Sequence, residues 1–544
     1  MPDPALYEDF LGPSGGPYEE DPNDFEPNPD FTPWDMLEHC VVPVVRDAGI
    51  YFGKLFAVCL VLKLSTQIVS LPSVIAHALS AVMGALLVWD FFGPDSIYFV
   101  ALVSLSYVAF LLSSLLSKSV SSTAYIVCFS FALTCELVLS NPRSWHMIRG
   151  SQMVLMMKII SFAVELDQVP RFRPNVLAFV GYCLSPSSVV FGPWIHFDDY
   201  QHSLSPWPGC WRWSWFLKLS VSSSLSFVFL TLSTCWVQVL LVLSTWRWWL
   251  AFLDAFSYRC SHYFVSYMSE CSLLGCGIGL RPPDRRGPVS RERKDKVSRE
   301  REGEVSLEQS EESREEESDV TRRRKDVSRE REGEMSRQRE EVSLEQEGRR
   351  SEKEDVSDKS KPVFRDFWSV CVSRPLKVEF PRSIVEVVVN FNVPMHNWLK
   401  RYVFLSADRL FGRFLAVLAT YVVSALLHGL NGQLALVLLS LGVYSYVEHQ
   451  TRWKLARTYD ACVLARPCLS CEHRQGPKST VARLINTIFF GLSVFHLAYL
   501  GVMFDASPSQ ETGFSLAHTL AKWTALDFLS HWVVLVTWVF YKCI

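Results

Sequence analysis

Long apolar runs separated by short polar breaks occupy most of this chain. A bilayer core about 30 Å thick needs about 20 mostly apolar residues per helix, because backbone N–H and C=O groups find no water there. Besides the clearly apolar runs, two shorter or amphipathic stretches, Met147 to Leu166 and Ser261 to Leu280, are also candidates for membrane spans. The pattern predicts an all-α, polytopic membrane helix bundle of about ten to twelve membrane helices. The main candidate spans are Gly49 to Leu64, Val69 to Trp89, Ile97 to Leu116, Thr123 to Leu139, Asn175 to Ile195, Phe216 to Leu243, Phe411 to Leu427, Gln433 to Tyr446, Val481 to Met503 and Ala525 to Tyr541.

One charged segment interrupts the apolar pattern. Residues 281–361 hold 23 Lys/Arg and 25 Asp/Glu, out of 53 and 56 in the whole chain of 544 residues. The sequence VSREREGE occurs twice in this segment, which contains no aromatic residue. It cannot bury enough apolar surface to offset the entropy lost on ordering. We therefore predict a disordered charged insert, with a single long charged helix as the alternative.

The insert divides the chain into four predicted regions. Residues 1–45 form an acidic N-terminal tail, 46–280 a first membrane helix block, 281–361 the disordered charged repeat insert, and 362–544 a second membrane helix block. The tail contains no Lys or Arg, unlike the start of a cleavable signal peptide, so we expect the first span to act as an uncleaved signal. The fifteen cysteines show no framework spacing, so a disulfide-stapled protein is not expected.

The stretch YVVSALLHGLNGQLALVLLS, residues 421–440, places a histidine inside an apolar run. Basic residues precede it, including Arg409 and Arg413, and others follow, including Arg452 and Lys454, so both flanks are predicted to be cytosolic. The chain between must enter the membrane and return, which places His428 near the apex of a hairpin. Ionisable groups within membranes are costly and usually functional, although a core residue tying two helices together is the alternative. A neutral imidazole can accept a proton, which favours a general base.

A second motif lies upstream in PRSIVEVVVNFNVPMHNWLKRYVF, residues 381–404, where Asn392 precedes His428 by 36 residues. This Asn, followed by a His in an apolar SALLHG run, resembles the signature of the membrane-bound O-acyltransferase family. SWHMIRGSQMVLMMKIISFAVELD (144–167), VVFGPWIHFDDY (189–200) and FHLAYLGVMFD (495–505) resemble the members that acylate Wnt proteins. The resemblance spans both membrane blocks but not the acidic tail or the insert.

This resemblance implies transfer of a palmitoleoyl group from palmitoleoyl-CoA to a serine hydroxyl of a Wnt protein in the endoplasmic reticulum membrane. His428 matches the catalytic histidine, which would take the proton of the serine, and Asn392 the second signature residue, which would orient the thioester or stabilise the oxyanion. Expected partners are Wnt proteins, acyl-CoA and membrane lipids, with no nucleic acid. No cofactor besides the acyl donor, and no metal at the transfer site, is expected. A lysophospholipid or other acyltransferase of this fold is one alternative, and a non-enzymatic transporter or scaffold is another.

Further substrate-binding candidates flank these two motifs. Basic side chains in RSWHMIRG could bind coenzyme A phosphates, or they could be interfacial anchors beside Trp145. These are Arg143, His146 and Arg149. Apolar side chains around the apex and around Asn392 could form a kinked tunnel for a cis-unsaturated chain, or they could only face lipid and neighbouring helices. These are Leu426, Leu427, Leu430, Leu434, Val389 and Phe391.

Three other groups of residues are candidates for chemistry. CVLARPCLSCEH, with Cys462, Cys468, Cys471 and His473, could hold zinc or be S-acylated, and the sequence leaves both readings open. A metal cluster at His196, Asp198 and Asp199 is not favoured, because these residues are neighbours in sequence and the chemistry needs no Lewis acid. Ser424 lies one helical turn before His428, but the resemblance implies direct transfer without an acyl-enzyme.

Overall fold

The computed structural model describes residues 33–68, 71–116, 118–139, 142–168, 175–205, 213–242, 245–279, 369–429, 432–468, 471, 473–505 and 515–544. Within these ranges the chain forms helices, turns and one isolated backbone bridge, and no strand. The insert at 281–361 and most of the acidic tail lie outside the described residues. The four-region organisation therefore stays a prediction.

Before the insert, the described chain forms eleven α-helices. They are α1 Pro33–Met36, α2 Val42–Ile68, α3 Ser73–Phe92, α4 Ile97–Leu115, α5 Val120–Thr134, α6 Pro142–Gln168, α7 Val176–Cys183, α8 Phe197–Ser203, α9 Trp213–Thr231, α10 Val237–Val242 and α11 Arg247–Gly275. Single π-helical turns at Leu37–Val41, Cys135–Leu139 and Leu232–Trp236 and a 3₁₀ turn at Gly93–Ser96 extend or join them.

After the insert, the described chain forms nine more. They are α12 Pro375–Glu379, α13 Ile384–Phe391, α14 Val393–Leu399, α15 Leu405–Phe411, α16 Arg413–Leu427, α17 Gly432–Tyr459, α18 Thr480–Gly501, α19 Leu516–Ala525 and α20 Leu529–Cys543. A π-helical turn at Lys400–Phe404 joins α14 to α15.

The all-helical membrane class is confirmed. Six helical stretches of the described chain are long and apolar enough to cross a membrane, and α19 with α20, bent by 73°, would make a seventh. The longest stretch, 73–115, joins α3 and α4 through Gly93, whose φ of 52° interrupts regular helix, so each half has span length. Helices α11 and α17 have 29 and 28 residues but are more polar. The total of ten to twelve spans stays a prediction.

The predicted span from Asn175 to Ile195 is wrong. Helix α7 ends at Cys183, and residues 184–196 form turns and irregular chain. This segment contains two prolines, which lack the N–H group that a continuing helix requires. Its start is held by the buried Lys158, whose Nζ donates to the carbonyl oxygens of Tyr182 and Cys183 at 3.0 and 3.2 Å. A cation from α6 thus satisfies carbonyls that the ended helix leaves open.

Buried ion pairs fix α11 against its neighbours. Arg259 on α11 donates through Nε and Nη2 to the two carboxylate oxygens of Glu379 at 2.8 and 2.9 Å, and the Tyr263 hydroxyl donates to the same carboxylate at 2.6 Å. Lys218 on α9 donates to Glu270 on α11 at 2.6 Å. Removing one partner of a buried pair costs about 3 to 5 kcal/mol, because the other charge is left uncompensated. The Arg259–Glu379 pair holds α12 beside α11, and the Lys218–Glu270 pair holds α9 beside α11.

A disulfide joins Cys40 to Cys235, two residues 195 positions apart in sequence. The sequence did not predict this pair, because one bridge between distant helices leaves no spacing pattern. Twelve other cysteines of the described chain are free thiols. Disulfides persist in oxidising compartments and are rare in the cytosol, so we expect the end of the bundle that carries this bridge to face away from the cytosol.

Candidate active site at the hairpin apex

Helices α16 and α17 form the predicted hairpin, and His428 lies directly after the first arm. The arms pack closely: the hydroxyl groups of Tyr421 and Ser445 are 3.3 Å apart. The backbone N–H of His428 donates to the carbonyl oxygen of Ser424 at 3.3 Å and so closes the last turn of α16. The predicted helical hairpin is confirmed, and the cytosolic location of its two flanks stays a prediction. Leu430, one of the predicted tunnel residues, lies outside the described residues.

Gly429 lets the chain leave α16 beside two charged side chains. Its φ of 86° is a conformation that other residues rarely adopt, and its N–H donates to the carbonyl oxygen of Leu426 at 3.0 Å. A Cβ atom at this position would overlap Oε2 of Glu136 and lie 3.0 Å from Cδ of Arg149. The apex therefore packs against the N-terminal part of α6, which carries Arg149, and against the π-helical turn Cys135–Leu139, which carries Glu136.

Glu136 organises this contact. Its Oε2 accepts a hydrogen bond from Nε1 of Trp145 at 2.8 Å, and its Oε1 lies 3.9 Å from Nη1 of Arg149. Arg149 is also within electrostatic range of the His428 imidazole. Helix α16 starts at the flank that is predicted to be cytosolic, and this contact lies at the opposite end of the hairpin. That location and the ion pair favour a role for Arg149 in placing the apex over a role in binding coenzyme A phosphates.

His262 on α11 connects the two motifs, and the sequence analysis missed it. Its ring lies within electrostatic range of His428. Its Nε2 donates to the carbonyl oxygen of Phe391 at 2.9 Å, and its ring stacks on the Phe391 ring with centroids 4.1 Å apart and planes 7° apart. Phe391 immediately precedes Asn392. The signal that singled out His428, an imidazole inside a candidate span, was also present in Ser261 to Leu280.

Asn392 ends α13 and caps α14. Its Oδ1 accepts a hydrogen bond from the backbone N–H of Met395 at 3.0 Å, as an N-cap residue does. Pro394 follows in the first turn of α14, where the missing N–H costs nothing. Because Oδ1 is committed to the cap, the amide N–H₂ group is the part of the side chain left for a substrate.

The remaining predicted residues are placed as follows. Leu427 is fully buried, and Leu426, Leu434 and Val389 are half-buried. Phe391 packs against an apolar cluster that includes Tyr263, Val378 and Val387.

The polar candidates lie on other elements. Arg143 and His146 belong to α6, but their side chains lie outside what the structure describes. The ring of His196 contacts the ring of Trp194 edge-to-face, with centroids 4.3 Å apart, and Nδ1 of His196 lies 3.6 Å from Oε1 of Glu165.

In the described part of the chain, one group of residues has the ligand types and spacing of a metal site. Cys462, Cys468, Cys471 and His473 come together in the loop between α17 and α18. This loop follows the C-terminal end of α17, whereas the hairpin apex precedes the N-terminal end of that helix. The cluster is therefore separate from the histidine site.

The imidazole at the hairpin apex, the imidazole of His262, and the amide one residue after the phenylalanine that His262 contacts are groups suited to proton transfer at an acyl group. The sequence model of the membrane-bound O-acyltransferase family matches residues 371–456, a range that contains both Asn392 and His428. The fold and this site define an intramembrane acyltransferase.

The full-length comparisons narrow this class. The chain is 31% identical over 538 residues to the protein-serine O-palmitoleoyltransferase porcupine of Homo sapiens, covering 94% of this chain and 97% of that protein. The porcupine of Mus musculus is 31% identical with the same coverage, and that of Anopheles gambiae is 30% identical over 93% of each chain. The chain belongs to the porcupine family of protein-serine O-palmitoleoyltransferases.

Replacing Gly429 by alanine should lower acyl transfer by at least about tenfold. A left-handed conformation costs a non-glycine residue about 1 to 2 kcal/mol, and the overlap with Glu136 would shift the turn that carries His428. The measurement is the initial rate of transfer in membranes containing equal amounts of wild-type and variant protein.

Gly432→Ala is the matched control, because a Cβ there would meet Leu516 at an ordinary 3.8 Å. This variant should retain a rate near that of the wild type. Equal rates for the two alanine variants would contradict the proposed need for glycine at 429.

Proposed function

We propose that this protein transfers a palmitoleoyl group from palmitoleoyl-CoA to a serine hydroxyl of a Wnt protein in the endoplasmic reticulum membrane. The observation that carries the proposal is the similarity, over nearly the whole chain, to proteins named protein-serine O-palmitoleoyltransferase porcupine. The site geometry supports it, because the histidine lies at the end of a membrane hairpin. A cytosolic acyl donor and a lumenal acceptor can meet only within the bilayer.

In the proposed reaction His428 acts as the general base. Its neutral imidazole takes the proton of the serine hydroxyl while the oxygen attacks the thioester carbonyl. The amide N–H₂ of Asn392 donates to the developing oxyanion, which needs no charged group. When the tetrahedral intermediate collapses, the C–S bond breaks and the imidazolium returns the proton to the leaving thiolate. The products are a serine ester and free coenzyme A.

His262 is proposed as a positioning residue for both groups. Its hydrogen bond to the carbonyl oxygen of Phe391 fixes the backbone directly before Asn392, and its ring lies within electrostatic range of His428. Arg149 and Glu136 support the apex from α6 and the turn before it. The chain thus holds the base and the amide from separate helices. No cofactor besides the acyl donor enters this proposal.

The acceptor class is tested with membranes that contain the wild-type protein and labelled palmitoleoyl-CoA. A Wnt-derived peptide containing the acceptor serine should become labelled, and its Ser→Ala counterpart should not. A lysophospholipid offered in parallel should gain no label above that of membranes without the protein. Label on the lysophospholipid instead of the peptide would contradict the proposed acceptor and support the lipid acyltransferase alternative.

The donor preference tests the apolar residues near the apex. We propose that Leu426, Leu427, Leu430, Leu434, Val389 and Phe391 line a kinked tunnel leading away from His428. A cis double bond fits a bend, whereas a saturated chain must distort, and each misplaced methylene costs about 1 kcal/mol. Palmitoleoyl-CoA should therefore react faster than palmitoyl-CoA with one Wnt peptide. Equal rates would remove the tunnel and leave the role of His428 intact.

A further inference from the structure

Three cysteines and one histidine converge in the loop between α17 and α18. Sγ of Cys462 and Sγ of Cys468 are 3.7 Å apart. Nδ1 of His473 lies 3.8 Å from Sγ of Cys468 and 3.5 Å from Sγ of Cys471. The four ligand atoms all lie within 4.8 Å of one another, and the three cysteines are free thiols.

The three separations of 3.5 to 3.8 Å match the edges of a tetrahedral zinc site. With Zn–S bonds of about 2.3 Å and Zn–N bonds of about 2.0 Å, two thiolates lie about 3.8 Å apart, and a thiolate and an imidazole nitrogen about 3.5 Å apart. A disulfide would instead require about 2.0 Å between the sulfur atoms. We propose that Cys462, Cys468, Cys471 and His473 bind one structural zinc ion.

The donor set and its location determine the kind of metal site. Three thiolates and one imidazole are soft and borderline donors that favour zinc over hard cations such as magnesium or calcium. Four protein ligands complete a tetrahedron and leave no open position for substrate, which is typical of a structural site. The basic flank of α17, with Arg452, Lys454 and Arg457, places the loop in the cytosol, where thiols stay reduced.

Backbone hydrogen bonds join the two ends of the loop, and the proposed metal would join its tip to these ends. The N–H of Cys462 donates to the carbonyl oxygen of Gln475 at 2.9 Å, and the N–H of Gln475 donates to that of Asp460 at 2.8 Å. The backbone N–H of Arg474 donates to Oδ2 of Asp460 at 3.0 Å. The loop is thus pinned where it leaves α17 and where it returns towards α18. Cys468 and Cys471 lie between these points, where a metal would join the tip to the base.

The loop also anchors the helix that leads to Asn392. Arg382 donates through Nε to the carbonyl oxygen of Leu464 at 2.9 Å and through Nη2 to that of Cys462 at 2.8 Å. The hydroxyl of Ser383, the N-cap of α13, donates to the carbonyl oxygen of Ala465 at 3.0 Å. Zinc would therefore fix the carbonyl groups that hold the start of α13.

The same loop contacts α17, the second arm of the hairpin. Nη1 of the fully buried Arg452 donates to the carbonyl oxygen of Val463 at 2.7 Å, and its Nε donates to Glu448 at 2.8 Å. Glu448 in turn accepts a hydrogen bond from the backbone N–H of Ile384 at 2.8 Å. A cytosolic metal site is in this way joined to both motifs without touching the reacting groups.

The test is the metal content of the full-length protein purified in detergent and measured by inductively coupled plasma mass spectrometry. The wild type should contain about one zinc ion per chain. Cys471→Ser and His473→Ala should lose the zinc, whereas His473→Cys should retain it, because a fourth thiolate replaces the imidazole. Cys543→Ser is the matched control, since this exposed free thiol lies outside the cluster, and it should retain the zinc.

Cobalt substitution gives a second readout that needs no variant to fold. Wild-type protein loaded with Co²⁺ should show thiolate-to-cobalt charge-transfer absorption and the visible bands of a tetrahedral site. Wild-type protein with no zinc and no such cobalt spectrum would overturn the proposal. So would a hydroxylamine-sensitive acyl group on Cys468 or Cys471, which would support S-acylation instead. Neither measurement depends on acyl transfer, so failure here leaves the proposed function untouched.

Discussion

Replacing His428 by alanine should abolish measurable acyl transfer while the protein remains expressed and inserted. The imidazole is the group proposed to take the serine proton, and removal of a general base costs about a hundredfold to ten-thousandfold in rate. The measurement is labelled palmitoleate on a Wnt peptide, with variant and wild-type membranes matched for protein amount. His428→Gln should be equally inactive, because an amide retains hydrogen bonding but cannot accept the proton.

A second imidazole on the same hairpin provides the matched control. His449 lies on α17, exposed and distant in sequence from the apex. His449→Ala should retain a rate near that of the wild type. Substantial activity in His428→Gln would show that His428 positions its surroundings and that the base lies elsewhere, with His262 as the first residue to examine.

Replacing Asn392 by alanine should lower the rate by about a hundredfold, the loss expected when one donor to an oxyanion is removed. Alanine also removes the cap of α14, which costs about 1 kcal/mol of stability, so this variant alone does not separate the two roles. Asn392→Asp does separate them. Aspartate caps a helix as well as asparagine does, but it cannot donate a hydrogen bond when ionised.

If the amide donates in the transition state, Asn392→Asp should be as inactive as Asn392→Ala. Its thermal unfolding midpoint should meanwhile stay close to that of the wild type. Wild-type activity in Asn392→Asp would show that the residue serves only as a helix cap. Measurement of rate and unfolding midpoint on the same preparations distinguishes these outcomes.

The hairpin was predictable because its signals are local. Basic flanks define where the chain enters and returns, and the glycines around His428 indicate the turn between. Even the need for glycine at 429 has a local part, since the end of a helix commonly adopts a positive φ. The sequence could not show that Glu136 is the side chain that excludes a Cβ at position 429. Glu136 belongs to another helical segment, nearly 300 positions earlier in the chain.

The errors have the same origin. Apolar content alone suggested a span from Asn175 to Ile195, although its prolines argued for a break, and Lys158 from α6 stabilises the irregular chain instead. His262 gave a signal as strong as that of His428 but lay in a less apolar helix. The Cys40–Cys235 bridge joins residues whose proximity depends on the whole bundle. To predict any of these three features, one must know which helices are neighbours. The periodicity along a single segment does not contain that information.

The length of α16 limits the shape of the molecule that receives the acyl group. Its 15 residues cover about 22 Å, which is less than the roughly 30 Å of hydrocarbon, so on the proposed topology, with Arg413 at the cytosolic surface, His428 stops several ångströms below the lumenal surface. An extended chain advances about 3.3 Å per residue. An acceptor serine must therefore be carried on a narrow protrusion, with at least two or three extended residues on each side. A serine on the flat face of a folded domain cannot reach the imidazole, however well its immediate sequence matches.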